Sequence, residues 1–286
     1  MKRIFEFSSN AVSPPTLSKV LQLLILEFVP DKLPSFNDKL LMIEEAWWYY
    51  IDVYRLLYPE LPRLEFIDFV KQIAFCVPTQ SLLQNELNTT SPDILLSDFN
   101  NFKSTIPCYG AILMDEDLQH VLAVQAFRTT RWGFPKGKMK IKEDPVVCAV
   151  REVEEEIGFN VLPFLVKENP IEIIMGKKKV TYFFCHHIPL TTPFHPKTRM
   201  EIHKIAWLDI DDITREVIAK NPDFNFFNQL MINAMLTFVA RQKGIEPKLL
   251  VLDTPCNSSY FSENSFGMEY FSKLYTNAFK TGSLHR

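Results

Sequence analysis

Residues 137–159 read GKMKIKEDPVVCAVREVEEEIGF, and this stretch decides the fold. Between Pro145 and Ile157 the apolar residues Val146, Val147, Val150, Val153 and Ile157 recur at intervals of three and four, one stripe of a helix. Glu152, Glu155 and Glu156 stand at i, i+3 and i+4, so their carboxylates share a different face of that helix. Three like charges this close repel one another, and a cation relieves them; a merely solvated acidic face is the alternative. Hard divalent ions prefer carboxylate oxygens, and Mg2+ keeps several waters and bridges to substrate phosphates. Lys136, Lys138, Lys140 and Lys142 add positive charge just before the helix. A polyphosphate held between metal ions and ammonium groups is open to attack by water. Glu143 and Arg151 read as structural, an ion pair pinning the loop to the helix. Gly137 and Gly158 supply backbone freedom at the loop and at the helix end.

The stretch also fits the pattern G-x5-E-x7-R-E-U-x-E-E-x-G-U, with U aliphatic or aromatic, at Gly137, Glu143, Arg151, Glu152, Val153, Glu155, Glu156, Gly158 and Phe159. In this it resembles the Nudix hydrolases. Four further runs sharpen the resemblance: EEAWWYYIDVYR (44–55), IPCYGAILMD (106–115), WGFPKGK (132–138) and FHPKTRMEIHKIAW (194–207). Together they are similar to the family of catalytic subunits of the eukaryotic mRNA-decapping enzyme, over roughly residues 15–243. The resemblance implies an α+β architecture, an all-α N-terminal domain followed by a Nudix α/β/α sandwich with a mixed sheet and a C-terminal helix. It implies hydrolysis of the 5′ cap of mRNA with Mg2+ or Mn2+, releasing 7-methyl-GDP and 5′-monophosphate RNA and so initiating mRNA decay. Glu152, Glu155 and Glu156 match the family's metal-binding, catalytic carboxylates. Glu201 matches its general base, a fourth acid not fully tied to the ions and so able to take a proton. On the residues alone Glu201 is one acid among thirty-four.

The segment from Asn37 to Tyr58 predicts one helix with a core stripe of Leu40, Ile43, Trp47, Tyr50, Tyr54 and Leu57. Trp48 lies about a hundred degrees off that stripe, and Asp52 follows it by one turn. Either Trp48 packs beneath a neighbouring segment while Asp52 is solvated, or the pair reads a ligand. The resemblance implies the second: cationic 7-methylguanine stacks on indole, and a carboxylate accepts from its Watson–Crick edge. The first predicted helix, Thr16 to Val29, is where the resemblance places a small decapping-activator subunit. The expected domains are 1–98, a helical regulatory and cap-recognition domain, and 108–245, the hydrolase. Residues 99–107, polar and ending at a proline, read as a hinge allowing gated closure on the cap. Residues 246–286 form an extension of unassigned role, with a short amphipathic helix expected at 266–279.

Strands are expected at 109–113, 121–127, 171–174, 180–186 and 204–208, and a final amphipathic helix at 222–243. Decapping relatives use that helix along their RNA path, but here it is weakly basic, with Lys220 before it and Arg241 at its end as the phosphate-binding candidates beside Lys136 and Lys138. The paired His186 and His187 suggest metal but have no evident third ligand, which favours a structural role. A net charge of −3 means that RNA is met by local basic patches. Five cysteines without zinc spacing read as reduced thiols of an intracellular protein. Capped mRNA and the activator are the expected partners, with no DNA and no membrane, in the cytoplasm, its processing bodies or the nucleus. Two rival readings stand: a Nudix pyrophosphatase for free dinucleotides or nucleotide sugars, and a catalytically silent binder of capped or triphosphorylated RNA. Four intact acids argue against the binder.

Overall fold

In the computed structural model, which describes residues 15–30, 33–76, 81–175, 177–197 and 201–251, short polar side chains start the first helices. Thr16 Oγ1 accepts from the Lys19 N–H at 3.4 Å and opens α1 (Leu17–Phe28). Ser35 Oγ accepts from the Asp38 N–H at 3.1 Å and opens α2 (Phe36–Tyr49). Such caps satisfy N–H groups that lack an intrahelical partner. After α2 the chain makes a π-helical turn, Tyr50–Tyr54, then α3 (Arg55–Leu57), α4 (Phe66–Cys76), α5 (Ser81–Thr89) and α6 (Pro92–Thr105). Val20, Leu21, Leu40, Ile43, Ala46, Tyr50, Phe69, Ile73 and Phe99 form their shared core.

One expectation fails in this unit. The stripe predicted to end on Leu57 loses phase, and Leu57 is 53% exposed, because the π turn bonds i to i+5 and inserts a residue. Helix α5 runs through the Asn-rich stretch to Thr89 and buries Leu83. The segment 99–107, read as a hinge, is helical as far as Thr105 with Phe99 fully buried, and the boundary between the two units falls within it. Its polar residues had suggested a linker, but they alternate with the inward-facing Phe99 and Phe102.

The chain divides into units 1–103 and 104–286. In the second unit β1 (Cys108–Leu113), β2 (His120–Ala126), β3 (Trp132–Gly133) and β4 (Lys136–Lys138) lead into α7 (Pro145–Ile157). Then come β5 (Leu165–Met175), β6 (Lys178–Cys185), β7 (Ile202–Asp209), α8 (Ile210–Ile218) and α9 (Gln229–Lys243). One sheet has the order β4-β1-β6-β5 and the other β3-β2-β7. β1 runs parallel to β6 and antiparallel to β4, so the larger sheet is mixed. Successive side chains of a strand point to opposite faces. Thus Ala111 and Leu113 cluster with Val153 and Ile157 of α7. Cys108 and Ile112 cluster with Met231, Met235 and Phe238 of α9. The result is helix, sheet, helix.

The final helix is shorter and drier than expected. Pro222–Phe224 is a separate 3-10 turn, Asn228 caps α9, and the consecutive residues from Leu230 to Met235 are all buried. A helix buried on every side is a core element, which accounts for its few cations. Helix α8 and strands β3 and β4 are additional to the expected elements, and His186 and His187 lie just past β6. Among the described residues no helix is long and apolar enough to cross a membrane. Cys76, Cys108, Cys148 and Cys185 are free thiols. Cys256 and the helix expected at 266–279 lie outside the described residues.

Candidate active site

Helix α7 is set from both ends. Asp144 Oδ1 accepts from the N–H groups of Val146 and Val147 at 2.9 and 3.3 Å, and Pro145 occupies the first turn. Gly158 closes the helix at φ +73°, a left-handed conformation that glycine adopts without cost. A Cβ there would also collide with the carbonyl oxygen of His195.

Arg151 organises one side of the acidic face. Its Nε and Nη2 donate to the two oxygens of Glu143 at 2.7 and 2.9 Å, the bidentate geometry that suits guanidinium. Nη1 reaches Glu152 Oε1 at 2.7 Å and Glu155 Oε2 at 3.2 Å, and Nη2 also donates to the carbonyl of Lys138 at 3.1 Å. Glu143 accepts in addition from the Lys140 N–H at 2.9 Å. The loop and the helix are thereby one piece. Gly137 has a specific reason to be glycine: a Cβ there would overlap the Glu152 carboxylate.

Glu156 sits on the other side, its Oε2 accepting from the Lys136 N–H of β4 at 3.0 Å. Burial pushes the Glu156 carboxyl up to about 7 against the pull of Lys136, with the charges of Glu152 and Glu201 adding to the rise. Burial raises Glu152 too, opposed by Arg151 and reinforced by Glu155 and Glu201. Glu201 is therefore electrostatically coupled to both helix acids across 45 and more residues of sequence. The chain achieves this by running along the end of α7. His195 donates its N–H to the Ile157 carbonyl and Lys197 to the Glu155 carbonyl, both at 2.9 Å, and Lys197 Nζ pairs with Glu154 at 2.5 Å. Beyond them Glu201 is exposed.

The donor chemistry fits a hard divalent cation. Glu152, Glu155, Glu156 and Glu201 bring four carboxylates against one guanidinium already shared with Glu143. Nevertheless, among the described residues no group of three acids, histidines or cysteines stands close enough to hold one ion. The expected ligands are gathered but not drawn together, because Arg151 takes an oxygen each from Glu152 and Glu155, and a backbone N–H takes one from Glu156.

The basic candidates separate. Lys136 and Lys138 lie on β4, against α7. Lys220 follows α8, and Arg241 lines a cleft with Val166, Glu168 and Asn169 of β5. Since β5 and β4 are opposite edges of one sheet, Arg241 stands roughly 14 Å of strand spacing from the β4 edge. His186 and His187 have ring centroids 4.3 Å apart, and burial lowers His186 below the usual imidazole range.

In the helical unit Trp47 and Trp48 differ in role. Trp47 donates its indole N–H to the Leu64 carbonyl at 2.8 Å and packs edge-on against Phe66. Trp48 is 53% exposed, and Asp52, also exposed, lies within the π turn. Isolated π turns recur at functional sites. Periodicity placed Trp48 off the core stripe but gave no sign of the π turn, whose signature is a hydrogen-bond shift rather than a residue type. It likewise gave no sign that the loop after β2 would lie opposite Glu201, a juxtaposition that strand register alone creates.

Two family models match the chain, the Dcp2, box A domain over residues 16–102 and the NUDIX domain over residues 105–230. The m7GpppN-mRNA hydrolase of Saccharomyces cerevisiae is 30% identical over 220 residues, 76% of this chain and 22% of that protein. The mRNA-decapping enzyme subunit 2 of Arabidopsis thaliana is 32% identical over 203 residues, 68% of this chain and 52% of that protein. The chain thus spans about a quarter to a half of the length of these curated relatives. Among solved structures, a Caenorhabditis elegans Ap4A hydrolase binary complex is similar over 49% of this chain and 99% of its own, at 18% identity and a TM-score of 0.40.

Proposed function

From the premise that this chain belongs to the mRNA-decapping branch of the Nudix family, we propose that it hydrolyses the 5′ cap of mRNA, releasing 7-methyl-GDP and 5′-monophosphate RNA. The observation that carries the reading is the convergence of Glu201 on Glu152 and Glu156, which puts a solvent-facing acid beside a partly buried acidic helix face. Nudix hydrolases generally need divalent metal ions, and Mg2+ or Mn2+ held by Glu152, Glu155 and Glu156 would neutralise anhydride charge and make bound water more acidic. The chain's own groups do the rest. Arg151 and Lys136 fix the orientation of the helix carboxylates, and Lys138 meets the phosphates. Glu201, free of the guanidinium network, accepts the proton of the attacking water. Trp48 stacks on 7-methylguanine while Asp52 accepts from its N–H groups. Trp48 and Asp52 lie within residues 1–103 and the four acids within residues 104–286.

A small activator subunit docks on α1, where Leu23 and Leu26 are 46% and 82% exposed. The reading places the protein in cytoplasmic mRNA decay, including processing bodies. Cap-labelled RNA incubated with the protein and Mg2+ or Mn2+ tests the proposal, and release of label as anything other than 7-methyl-GDP sinks it. Glu155→Gln should abolish turnover while leaving capped-RNA binding, the opposite of a pure binder. The rival pyrophosphatase reading draws on the fact that all four acids lie within residues 104–286. It predicts that this unit alone keeps full activity on free dinucleotides.

A further inference from the structure

We infer that Phe127, with Arg128 and Arg131, forms a seat for the first nucleotide of the RNA body, directly beside Glu201. The inference rests on the cap-hydrolysis reading and extends it to the far side of the cleaved bond. Phe127 donates its N–H to the carbonyl of Glu201 at 2.8 Å. That bond closes the β2–β7 ladder at its last pair, Ala126 with Ile202, with Phe127 in a turn and Glu201 in a bend immediately beyond it. The Phe127 loop therefore abuts the backbone of the residue to which the reading assigns water activation.

The loop is exposed yet firmly held, which an idle surface turn does not need. Buried Gln125 donates its amide to the Thr130 carbonyl at 2.5 Å, and Thr130 Oγ1 donates to Asp223 at 2.5 Å. Thr129 Oγ1 accepts from the Arg131 N–H at 3.1 Å, and His203 Nδ1 meets the Ala126 carbonyl at 3.1 Å. Phe127 nevertheless leaves 41% of its surface in water. Arg128 is held at φ +64°, a conformation that costs a non-glycine residue energy, and its guanidinium lies 5.4 Å from the Phe127 ring centroid. Residues 126–133 carry two arginines and no acid. An exposed aromatic with a guanidinium against its ring, and a second arginine in the same loop, is a seat for an unpaired base and its phosphates, tolerant of sequence because every base has a π face. On the cap-hydrolysis reading it is the seat for the nucleotide that leaves with the 5′-monophosphate. It also supplies positive charge close to the acids, which Arg241 at the far sheet edge does not.

The test compares unmodified protein with Phe127→Ala and Phe127→Trp on capped RNA whose first nucleotide is either intact or abasic. Phe127→Ala should lower kcat/KM about tenfold on the intact substrate, as alanine substitution at a stacking site does, with Phe127→Trp restoring it. On the abasic substrate the three proteins should be equal. Arg128→Ala with Arg131→Ala should flatten the salt dependence of RNA affinity. An equal loss on both substrates, or no loss on either, overturns the seat. Failure of the unmodified protein to release any 7-methyl-GDP overturns instead the cap-hydrolysis reading beneath it, and the seat with it.

Discussion

The residues that hold the acids can be tested alongside the acids themselves. Gly137 leaves room for the Glu152 carboxylate, so Gly137→Ala should displace that side chain and reduce cap hydrolysis at least about tenfold, a change of roughly 1.4 kcal/mol in barrier. Circular dichroism should stay unchanged, and a loss of folded signal would argue for a purely structural glycine. Arg151 is 20% and Glu143 10% exposed. Arg151→Ala removes the guanidinium that pairs with Glu143 and Glu152 and should cost about 3–5 kcal/mol in urea unfolding. A residue outside the site offers a pH test. Burial opposes ionisation of Asp115, but the N–H groups of His120 and Gln119 and the His120 ring outweigh it and hold the carboxyl below its usual range. A carboxyl whose native pKa is depressed stabilises fully above its unfolded value, about 4. That contribution is lost as pH falls through the native value. Asp115→Asn should therefore be destabilising at pH 7, with its deficit shrinking below about pH 4. A deficit constant from pH 3 to 7 would show that charge has no part in it.

Among the elements, α7 and α9 were read from similar apolar spacings but play different parts. In α7 the Asp144 cap, Pro145 and Gly158 agree and Val153 and Ile157 of the stripe are buried, but Val147 is 57% exposed and Cys148 and Ala149 take the inner face instead. Asp144→Ala should cost about 1 kcal/mol, and because α7 carries the site, thermal melts and activity should fall together. In α9 charges occur only at the end, and tertiary packing buries the rest. Asn233 shows why that helix is specific: 1% exposed, it accepts from the Leu250 N–H at 2.7 Å and donates to the Leu250 carbonyl at 2.8 Å, pinning the segment that follows. Asn233→Leu fills the volume but leaves both Leu250 groups without that partner. It should raise amide exchange around Leu250 while the α7 amides stay protected, and uniform loss of protection would contradict a local clamp. In α2 the apolar period was legible through Tyr50. The π turn that carries Asp52 was not, since its cause lies in how Tyr50 and the following turn pack, with the Tyr50 hydroxyl donating to the Pro62 carbonyl at 2.6 Å.

At the scale of the molecule, each unit has its own core, so residues 104–286 should fold alone, with a cooperative melt. That fragment should lose at least about tenfold in efficiency on capped RNA if Trp48 and Asp52 read the cap, the worth of one stacked base; full activity would remove them from the mechanism. The two-unit division and the helix bearing three glutamates were legible in the chain. Their signals are local, carried by apolar period, capping residues and a motif of fixed spacing. The helix over most of 99–107 was not legible, because composition reports polarity and cannot tell an exposed helix face from a loop. By itself the sequence determined which helix presents three glutamates on one face. Only the tertiary structure decided that Arg151 stands between the glutamates, that Arg241 lies at the opposite sheet edge and that the Phe127 loop abuts the backbone of Glu201. Those relations come from strand order and register, which join residues far apart in the chain and leave no periodic trace in it.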